Sequence, residues 1–263
     1  MFLTNGFFRR WIYVFKIVIP LTVSVGIMKL ILHGIGWEMI GSNMLPFLTS
    51  VFTGIIFMMG FVLAGLLSDH KESEKLPAEI IACLYSISRE ADLLKMKGEA
   101  AVAWNMQENI YQFVHIFRSD FLLKQSDTIF KVVDSFTKNF YAMDEKGVSQ
   151  PSMARLKNDQ ANLERILLRM KTIRDTMFAP GVHSAVEGIV VLFGVALLFF
   201  RFDSFVSGMF FMCFSIFLLS SIFILIKDLE NPFEYDKKAG ANEIDFSLVF
   251  AFEDTIRKRL KED

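Results

Sequence analysis

The sequence predicts an all-α membrane protein with four transmembrane helices, two before and two after a cytoplasmic helical bundle. Residues 39–68 contain no charged side chain, and residues 204–226 form a second charge-free stretch. A helix needs about 20 consecutive apolar residues to cross the hydrocarbon core of a bilayer. Between the two stretches lies a polar segment whose apolar residues recur with a helical period. No part of the chain shows the alternation that marks a strand.

The composition indicates a protein divided between lipid and water. Of 263 residues, 53% are hydrophobic and 22% are charged, which is too apolar for an ordinary soluble domain and too charged for a chain wholly in lipid. The net charge of −1 gives no reason to expect nucleic acid as a partner. Cys83 and Cys213 fall in different predicted helices, and no cysteine or histidine pair has metal-ligand spacing. With neither a nucleophile elbow nor a phosphate loop, we expect no enzyme and no metal site.

Residues 1–68 form an N-terminal segment followed by the first two transmembrane helices. The first helix is expected at about residues 12–35, and Lys29 near its end is the informative residue. A lysine at this position can extend its ammonium group to the far membrane interface. Alternatively, it can face a water-filled vestibule, where its charge would influence passing ions.

The second helix lies within residues 39–68 and begins near Pro46, because proline is tolerated in the first turn of a helix. One face combines small residues with phenylalanines: Phe52, Thr53, Ile56, Phe57, Gly60, Phe61 and Ala64. Small residues let neighbouring helices approach closely in lipid, and side chains four residues apart share a face. Such a face is either a packing surface or the constriction of a pore.

Residues 69–181 are expected to form the cytoplasmic helical domain. Four apolar stripes with the spacing i, i+3, i+4, i+7 begin at Ile80, Ile110, Ile129 and Leu163. Residues 144–151 contain a glycine and a proline, which mark a helix boundary. Because an amphipathic stripe usually faces a core, we expect a bundle of three or four helices that also makes subunit contacts.

Residues 182–226 form a transmembrane hairpin, and residues 227–263 form a cytoplasmic tail. The helices of the hairpin, residues 182–200 and 204–226, are joined by a tight turn. Lysine and arginine concentrate in the N-terminal segment, the middle domain and the tail, whereas the short turns offer only Arg201. Positive charge marks the cytoplasmic side of a membrane protein. We therefore expect both termini in the cytoplasm and the protein in the plasma (inner) membrane.

The tail carries a short motif directly after the last transmembrane helix. Asn231, Pro232 and Phe233 are followed by two acids, Glu234 and Asp236. This arrangement resembles the segment after the membrane domain in the bestrophin family, where an Asn-Pro-Phe or similar tripeptide precedes acidic residues and a short helix. The order of elements over the whole chain is also similar to that family.

The resemblance implies a function and a set of residues. Bestrophins and their bacterial relatives are pentameric ion channels, which implies a homo-pentamer around a central pore, with the lipid bilayer and inorganic ions as partners. In that family the second span lines a narrow neck with apolar residues at i, i+4 and i+8. Carried over to this chain, that register selects Thr53, Phe57 and Phe61. A ring of apolar side chains can gate a pore by expelling water.

The sequence departs from the bestrophin pattern at two places. Asp69, His70 and Lys71 stand where the family has an Arg-Trp-Trp-type signature. The acidic run that holds calcium in animal bestrophins is interrupted by Lys237 and Lys238. Since calcium takes about six to eight oxygen ligands, we expect no required cofactor, with calcium as the one candidate, and a distant bacterial branch of the family.

A second hypothesis is a membrane-anchored signalling or scaffold protein whose cytoplasmic helices bind a partner. The two hypotheses differ in subunit number and in the surroundings of the second span. A channel requires that span to be innermost in a ring of subunits. A scaffold is compatible with a monomer or dimer in which the span is buried among the others.

Overall fold

The computed structural model describes residues 3–123, 126–175, 180–230, 232–233 and 243–262. The chain divides into two compact units. We name residues 1–69 with 177–230 the apolar unit, and residues 70–176 with 231–263 the polar unit. Each unit is described by itself.

Nine α-helices occupy most of the described residues. They are α1 (Leu3–Ile35), α2 (Leu45–Ser73), α3 (Leu76–Met96), α4 (Ala100–Ile116), α5 (Thr128–Glu145), α6 (Gln150–Asp175), α7 (Pro180–Phe199), α8 (Phe205–Glu230) and α9 (Ser247–Glu262). A 3₁₀ turn, Ser42–Met44, precedes α2, and a π-helical stretch, Phe117–Leu122, follows α4. One isolated β-bridge joins Ile40 and Phe200. The described part of the chain is therefore all-α, as the periodicity predicted.

Three helical stretches in the described residues are long and apolar enough to cross a membrane. They lie within residues 15–35, 42–96 and 205–230. The second range also includes α3, and its charge-free part is residues 42–68. The apolar stretch of α7 is shorter, residues 184–199. At about 1.5 Å per residue, those 16 residues rise about 24 Å, less than the roughly 30 Å of a hydrocarbon core. Four spans therefore remain a prediction, with three supported by length and composition.

The core of the apolar unit is built on one face of α2. Ile55, Met59, Val62 and Leu66 follow a spacing of four, three and four residues, and all four are buried. Buried residues of the same cluster come from α7 and α8: Val186, Phe193, Leu197, Met212, Ile216 and Leu219. In lipid this packing rests on close contact between side chains rather than on the exclusion of water.

Two glycines mark close approaches in the apolar unit. A Cβ atom on Gly26 of α1 would lie 3.4 Å from Sγ of Cys213 on α8, an ordinary contact distance. A Cβ atom on Gly208 of α8 would overlap Cγ of Phe202. Gly208 is therefore required by the position of the Phe202 ring in the turn before α8.

The polar unit has one apolar core, formed by the four predicted stripes. The residues at which they begin, Ile80, Ile110, Ile129 and Leu163, are all buried, as are most of the residues that continue each stripe. Gly98 and Gly147 follow α3 and α5 with positive φ angles of 88° and 72°, a conformation that glycine adopts without strain. The predicted boundary at residues 144–151 is confirmed, because α5 ends and α6 begins within it.

The tail adds to the core of the polar unit. Phe233 is 2% exposed, and its ring lies 6.3 Å from that of Phe246. Residues of α9 complete the same core, and Nη1 of Arg259 binds Oδ2 of Asp92 on α3 at 2.8 Å. Phe233 is therefore buried against the helices of the polar unit. The other tail positions singled out in the sequence, Asn231, Glu234 and Asp236, lie outside the described residues.

Candidate functional site

The face of α2 opposite its buried residues is open. Phe57 and Phe61 are 78% and 73% exposed. Thr53 lies one turn before Phe57 on the same face and is also exposed. Added Cβ atoms on Gly54 and Gly60 would meet no atom within 4 Å. The described part of the chain therefore covers neither the two phenyl rings nor Gly54 and Gly60.

The open face changes character along the helix. Towards the N-terminal end it carries hydroxyl groups, because Thr49 and Ser50 are exposed beside Thr53. Each hydroxyl donates to a carbonyl of the preceding turn: Thr53 to Thr49 at 2.9 Å, and Ser50 to Pro46 at 2.9 Å. Their oxygen lone pairs remain available to the exterior. Sequence reasoning missed Thr49 and Ser50, although Thr49 lies four residues before Thr53.

Two residues assigned to this face in the sequence lie elsewhere. Phe52 and Ile56 are partly buried and pack against the core of the apolar unit. The ring of Phe52 stacks on Phe193 of α7 at 5.6 Å and meets Phe211 of α8 edge-on at 6.0 Å. The predicted face was too wide, because residues one position apart on a helix diverge by about 100°.

Lys29 occupies a different environment from the expected one. Its side chain is 1% exposed, and Nζ donates to the carbonyl oxygens of Leu198, at 3.0 Å, and Phe200. Oε1 of Glu38 lies 2.8 Å from the same nitrogen, and the ring of Phe202 lies 5.5 Å away. The sequence predicted a charge that reaches the far interface or a vestibule, whereas the surroundings of Lys29 are groups of its own chain. The ammonium is enclosed by its own chain, since a buried charge needs a partner.

Glu38 bridges two basic side chains. Oε1 faces Lys29, and Oε2 lies 3.2 Å from Nδ1 of His33. Burial alone raises the pKa of the Glu38 carboxyl, but the hydrogen bonds and charges of Lys29 and His33 outweigh burial and hold that pKa below its usual range. The sequence held a signal for this contact: Lys29 and Glu38 are the only Lys, Arg, Asp or Glu residues between positions 17 and 68.

Main-chain hydrogen bonds also join the α1–α2 connection to the end of α7 and to the residue that follows it. The backbone N–H groups of Met39 and Ile40 both donate to the carbonyl of Phe199 at 3.1 Å. The N–H group of Arg201 donates to the carbonyl of Ile40 at 2.8 Å. We name the side chains of Lys29, His33 and Glu38, together with the carbonyls of Leu198 and Phe200, the loop clasp. It ties the α1–α2 connection to the C-terminal end of α7.

Metal ligands are not assembled in the described part of the chain. There, no group of three or more His, Cys, Asp or Glu side chains is placed to hold a metal ion. The acids considered for calcium, Glu234 and Asp236, lie outside the described residues.

Several solved structures have a similar fold. One variant of a bacterial bestrophin homologue from Klebsiella pneumoniae is 15% identical, with 93% of this chain and 98% of that chain covered and a TM-score of 0.68. A second variant is 16% identical, with 96% and 98% covered and a TM-score of 0.67. The chain has the bestrophin fold. No family model and no curated protein sequence matches it at a significant level.

The bestrophin fold extends over nearly the whole chain. A further solved structure, described as a membrane protein, is 17% identical, with 94% of this chain and 97% of that chain covered and a TM-score of 0.71. The resemblance first drawn from a short tail motif and the order of elements is thus supported by the arrangement of the helices. Because this chain is only 15–17% identical to these proteins, the similarity between them is one of fold.

Proposed function

We propose that the chain is one subunit of a bestrophin-like ion channel in which α2 lines the pore. The observation that carries the proposal is the exposure of Phe57 and Phe61, at 78% and 73%, on a helix apolar enough to cross a membrane. A large side chain exposed in a membrane unit must meet lipid, a neighbouring subunit or a pore. The bestrophin fold favours the pore, as the family resemblance implies.

The two phenyl rings suit a hydrophobic neck. They lie one helical turn apart, about 6 Å along the helix axis. In a homo-pentamer with α2 innermost, each position would contribute a ring of phenyl groups with no hydrogen-bonding capacity. Water leaves such a constriction, and an ion meets a dehydration barrier.

The hydroxyl groups near the start of α2 suit the approach to that neck. Thr53 lies one turn before Phe57, and Thr49 lies one turn before Thr53. Their free lone pairs could replace part of the water around an ion before it reaches the phenyl rings. Lys29 takes no part in this pathway, because its charge is neutralised by Glu38 and enclosed by main-chain oxygens. The proposed pore is therefore lined by uncharged side chains along this face.

The test replaces the rings and measures two properties together. In the double variant Phe57→Ala with Phe61→Ala, ion flux into liposomes should rise while the number of subunits stays unchanged. The phenyl groups face a pore in this proposal, so their removal lowers a barrier without opening a cavity in a packed core. A reduced subunit number with no gain in flux would reject the neck.

A matched control is available on α8. Phe210 and Phe214 are also exposed phenylalanines four residues apart, with ring centroids 6.2 Å from one another. The double variant Phe210→Ala with Phe214→Ala should leave flux unchanged, because α8 is not the proposed pore helix. An equal rise in flux from both double variants would mean that any loss of exposed aromatic surface makes the membrane leak.

The scaffold hypothesis retains one observation in its favour. The polar unit exposes several large apolar side chains, among them Leu93, Met96 and Trp104. In the channel proposal these residues meet neighbouring subunits, whereas in the scaffold proposal they meet a different protein. Purified protein that forms a ring of five copies favours the channel. In cells, the channel proposal also places the N- and C-termini in the cytoplasm. A stable monomer favours the scaffold.

A further inference from the structure

We propose that Lys29, rather than water, caps the C-terminal end of α7, and that this cap lets α7 end within the hydrocarbon core of the membrane. The inference depends on the membrane location of the apolar unit. It does not depend on ion conduction, so its test uses no measurement of flux.

Backbone N–H groups satisfy two carbonyls at the end of α7. An α-helix ends with four carbonyls that have no partner within the helix. The carbonyl of Leu197 accepts from the N–H group of Phe200 at 3.4 Å. The carbonyl of Phe199 accepts from two N–H groups of the α1–α2 connection, those of Met39 and Ile40, both at 3.1 Å. The connection therefore supplies the donors that water supplies at an exposed helix end.

Lys29 satisfies the next two carbonyls. Its Nζ donates to the carbonyl of Leu198 at 3.0 Å and to the carbonyl of Phe200, and it lies 2.8 Å from Oε1 of Glu38. All three N–H donors of the ammonium thus have an acceptor, and the negative end of the α7 dipole receives a positive charge. Lys29 is 1% exposed within this one chain, and lipid or neighbouring subunits can only add to that burial.

Contacts with α8 show at what level α7 ends. The ring of Phe202, in the turn after α7, lies against Gly208, three residues into α8. On α1, the ring of His33 stacks on Phe205, the first residue of α8, at 4.1 Å, whereas Lys29 contacts the end of α7 four residues earlier. Four helical residues rise about 6 Å. The end of α7 therefore lies about one turn short of the level at which α8 starts.

The length of α8 places that level inside the membrane. Residues 205–226 carry no charge and rise about 33 Å, which matches a hydrocarbon core of roughly 30 Å. When α8 spans this core, α7 ends about 6 Å inside one of its boundaries. At that depth a carbonyl without a partner is strongly unfavourable, because no water reaches it. A helix end in lipid therefore requires donors from the protein, and Lys29 supplies them together with the connection.

A simpler role for Lys29 is to neutralise the charge of Glu38. The two roles predict different results when both charges are removed. A chain without either charge contains no unpaired ion, so its stability should recover if only the ion pair matters. Its stability should not recover if the carbonyls of α7 need the ammonium, because those carbonyls are then left without donors.

The experiment compares thermal midpoints of the full-length protein in detergent. The variants are Lys29→Met, Glu38→Gln, both changes together, and Lys16→Met. Methionine keeps the length of the lysine side chain but has no N–H donor, and glutamine keeps an oxygen that can accept from the ammonium. Lys16→Met is the matched control, because Lys16 also lies on α1 but is exposed.

The cap predicts unequal effects of the two single changes. Lys29→Met should lower the midpoint by about 10 °C, as expected for the loss of a buried and fully bonded charge in a chain of this size. The double variant should be lowered as much, Glu38→Gln should be lowered much less, and Lys16→Met should match the wild type. A double variant with the wild-type midpoint would overturn the inference. Equal losses from the two single variants would also overturn it.

Hydrogen exchange decides the inference even if Lys29→Met does not fold. Wild-type protein in liposomes is followed by mass spectrometry in a peptide that covers residues 36–44, and the same peptide from unfolded protein gives the unprotected rate. The N–H groups of Met39 and Ile40 should stay protected for minutes to hours, because they bind Phe199 where water is excluded. Their complete exchange within seconds would show that water reaches the end of α7 and would overturn the inference, whether or not the liposomes conduct ions.

Discussion

The two units of the molecule use the same sequence pattern in opposite ways. Phe136 and Phe140 of α5 are four residues apart, stack at 6.2 Å and are buried in the polar unit. Phe210 and Phe214 of α8 have the same separation and the same 6.2 Å distance, yet they are exposed. A repeated phenylalanine thus marks a helix face, while the surroundings determine what that face meets.

The difference follows from the solvent that each unit requires. In water, a unit is stable when its large apolar side chains are removed from the surface. In lipid, the outside is as apolar as the inside, and packing alone selects the buried face. Substitutions that remove apolar side chains should therefore have unequal effects in the two units.

The largest expected effect is all or none and tests which unit faces the cytoplasm. A cysteine at Asn43, before α2, should react with a membrane-impermeant thiol reagent applied outside intact cells. A cysteine at Glu145, at the end of α5, should not react. The reason is that positive charge concentrates in the middle segment and the tail. The reverse labelling pattern would invert the orientation of the whole chain.

The native cysteines, Cys83 and Cys213, determine the background labelling in that experiment. Burial, with the negative charges of Asp159 and Glu79, raises the pKa of the Cys83 thiol to about 11. Since the thiolate is the reactive form, Cys83 should label slowly even in lysed cells. Cys213 lies within α8 and is replaced by serine to remove its signal.

The next largest effect is expected in the polar unit. Phe233→Ala removes a buried ring from the core and should cost about 3–5 kcal/mol of unfolding free energy. Denaturant unfolding followed by circular dichroism measures this cost. Leu248→Ala on α9 is the control, because Leu248 is exposed. Similar midpoints for Phe233→Ala and the wild type would mean that the tail does not contribute to the core.

The apolar unit offers a sharper version of the comparison within one helix. Met59 and Phe57 lie two residues apart on α2, the first buried and the second exposed. Met59→Ala should cost about 2–5 kcal/mol, because it leaves a cavity. Phe57→Ala should cost much less. Thermal unfolding in detergent compares them, and an equal cost would indicate that the open face packs against another protein surface.

The smallest expected effect is a loss of thermal stability at acidic pH. Because the pKa of Glu38 is lowered in the folded chain, its ionised form contributes stability above its ordinary value of 4.5. That contribution is lost as pH falls through the lowered pKa. The wild type should therefore lose a few degrees of thermal midpoint in this range relative to Glu38→Gln. Parallel acid profiles for both proteins would show that Glu38 contributes nothing to stability through its charge.

Much of the polar unit could be predicted from the sequence, because helical periodicity in a polar segment identifies a buried face. The stripes beginning at Ile80 and Ile129 are buried as expected. Around Phe52 the same reasoning failed, because α2 is apolar on every side. Its helical period therefore does not distinguish the buried face from the exposed face. The contacts of the loop clasp could not be derived either. They depend on where the end of α7 lies, 169 positions from Lys29 in the case of Leu198.

The main-chain bonds between the two connections have a consequence for sequence divergence. Every residue except proline supplies an N–H group and a carbonyl. The bonds of Met39, Ile40 and Arg201 can therefore survive almost any exchange of side chain at those positions. Gly208 has no such freedom, because any Cβ atom would collide with Phe202. A connection held by backbone groups lets sequences drift far apart while the helices keep their places, as in folds shared at 15–17% identity.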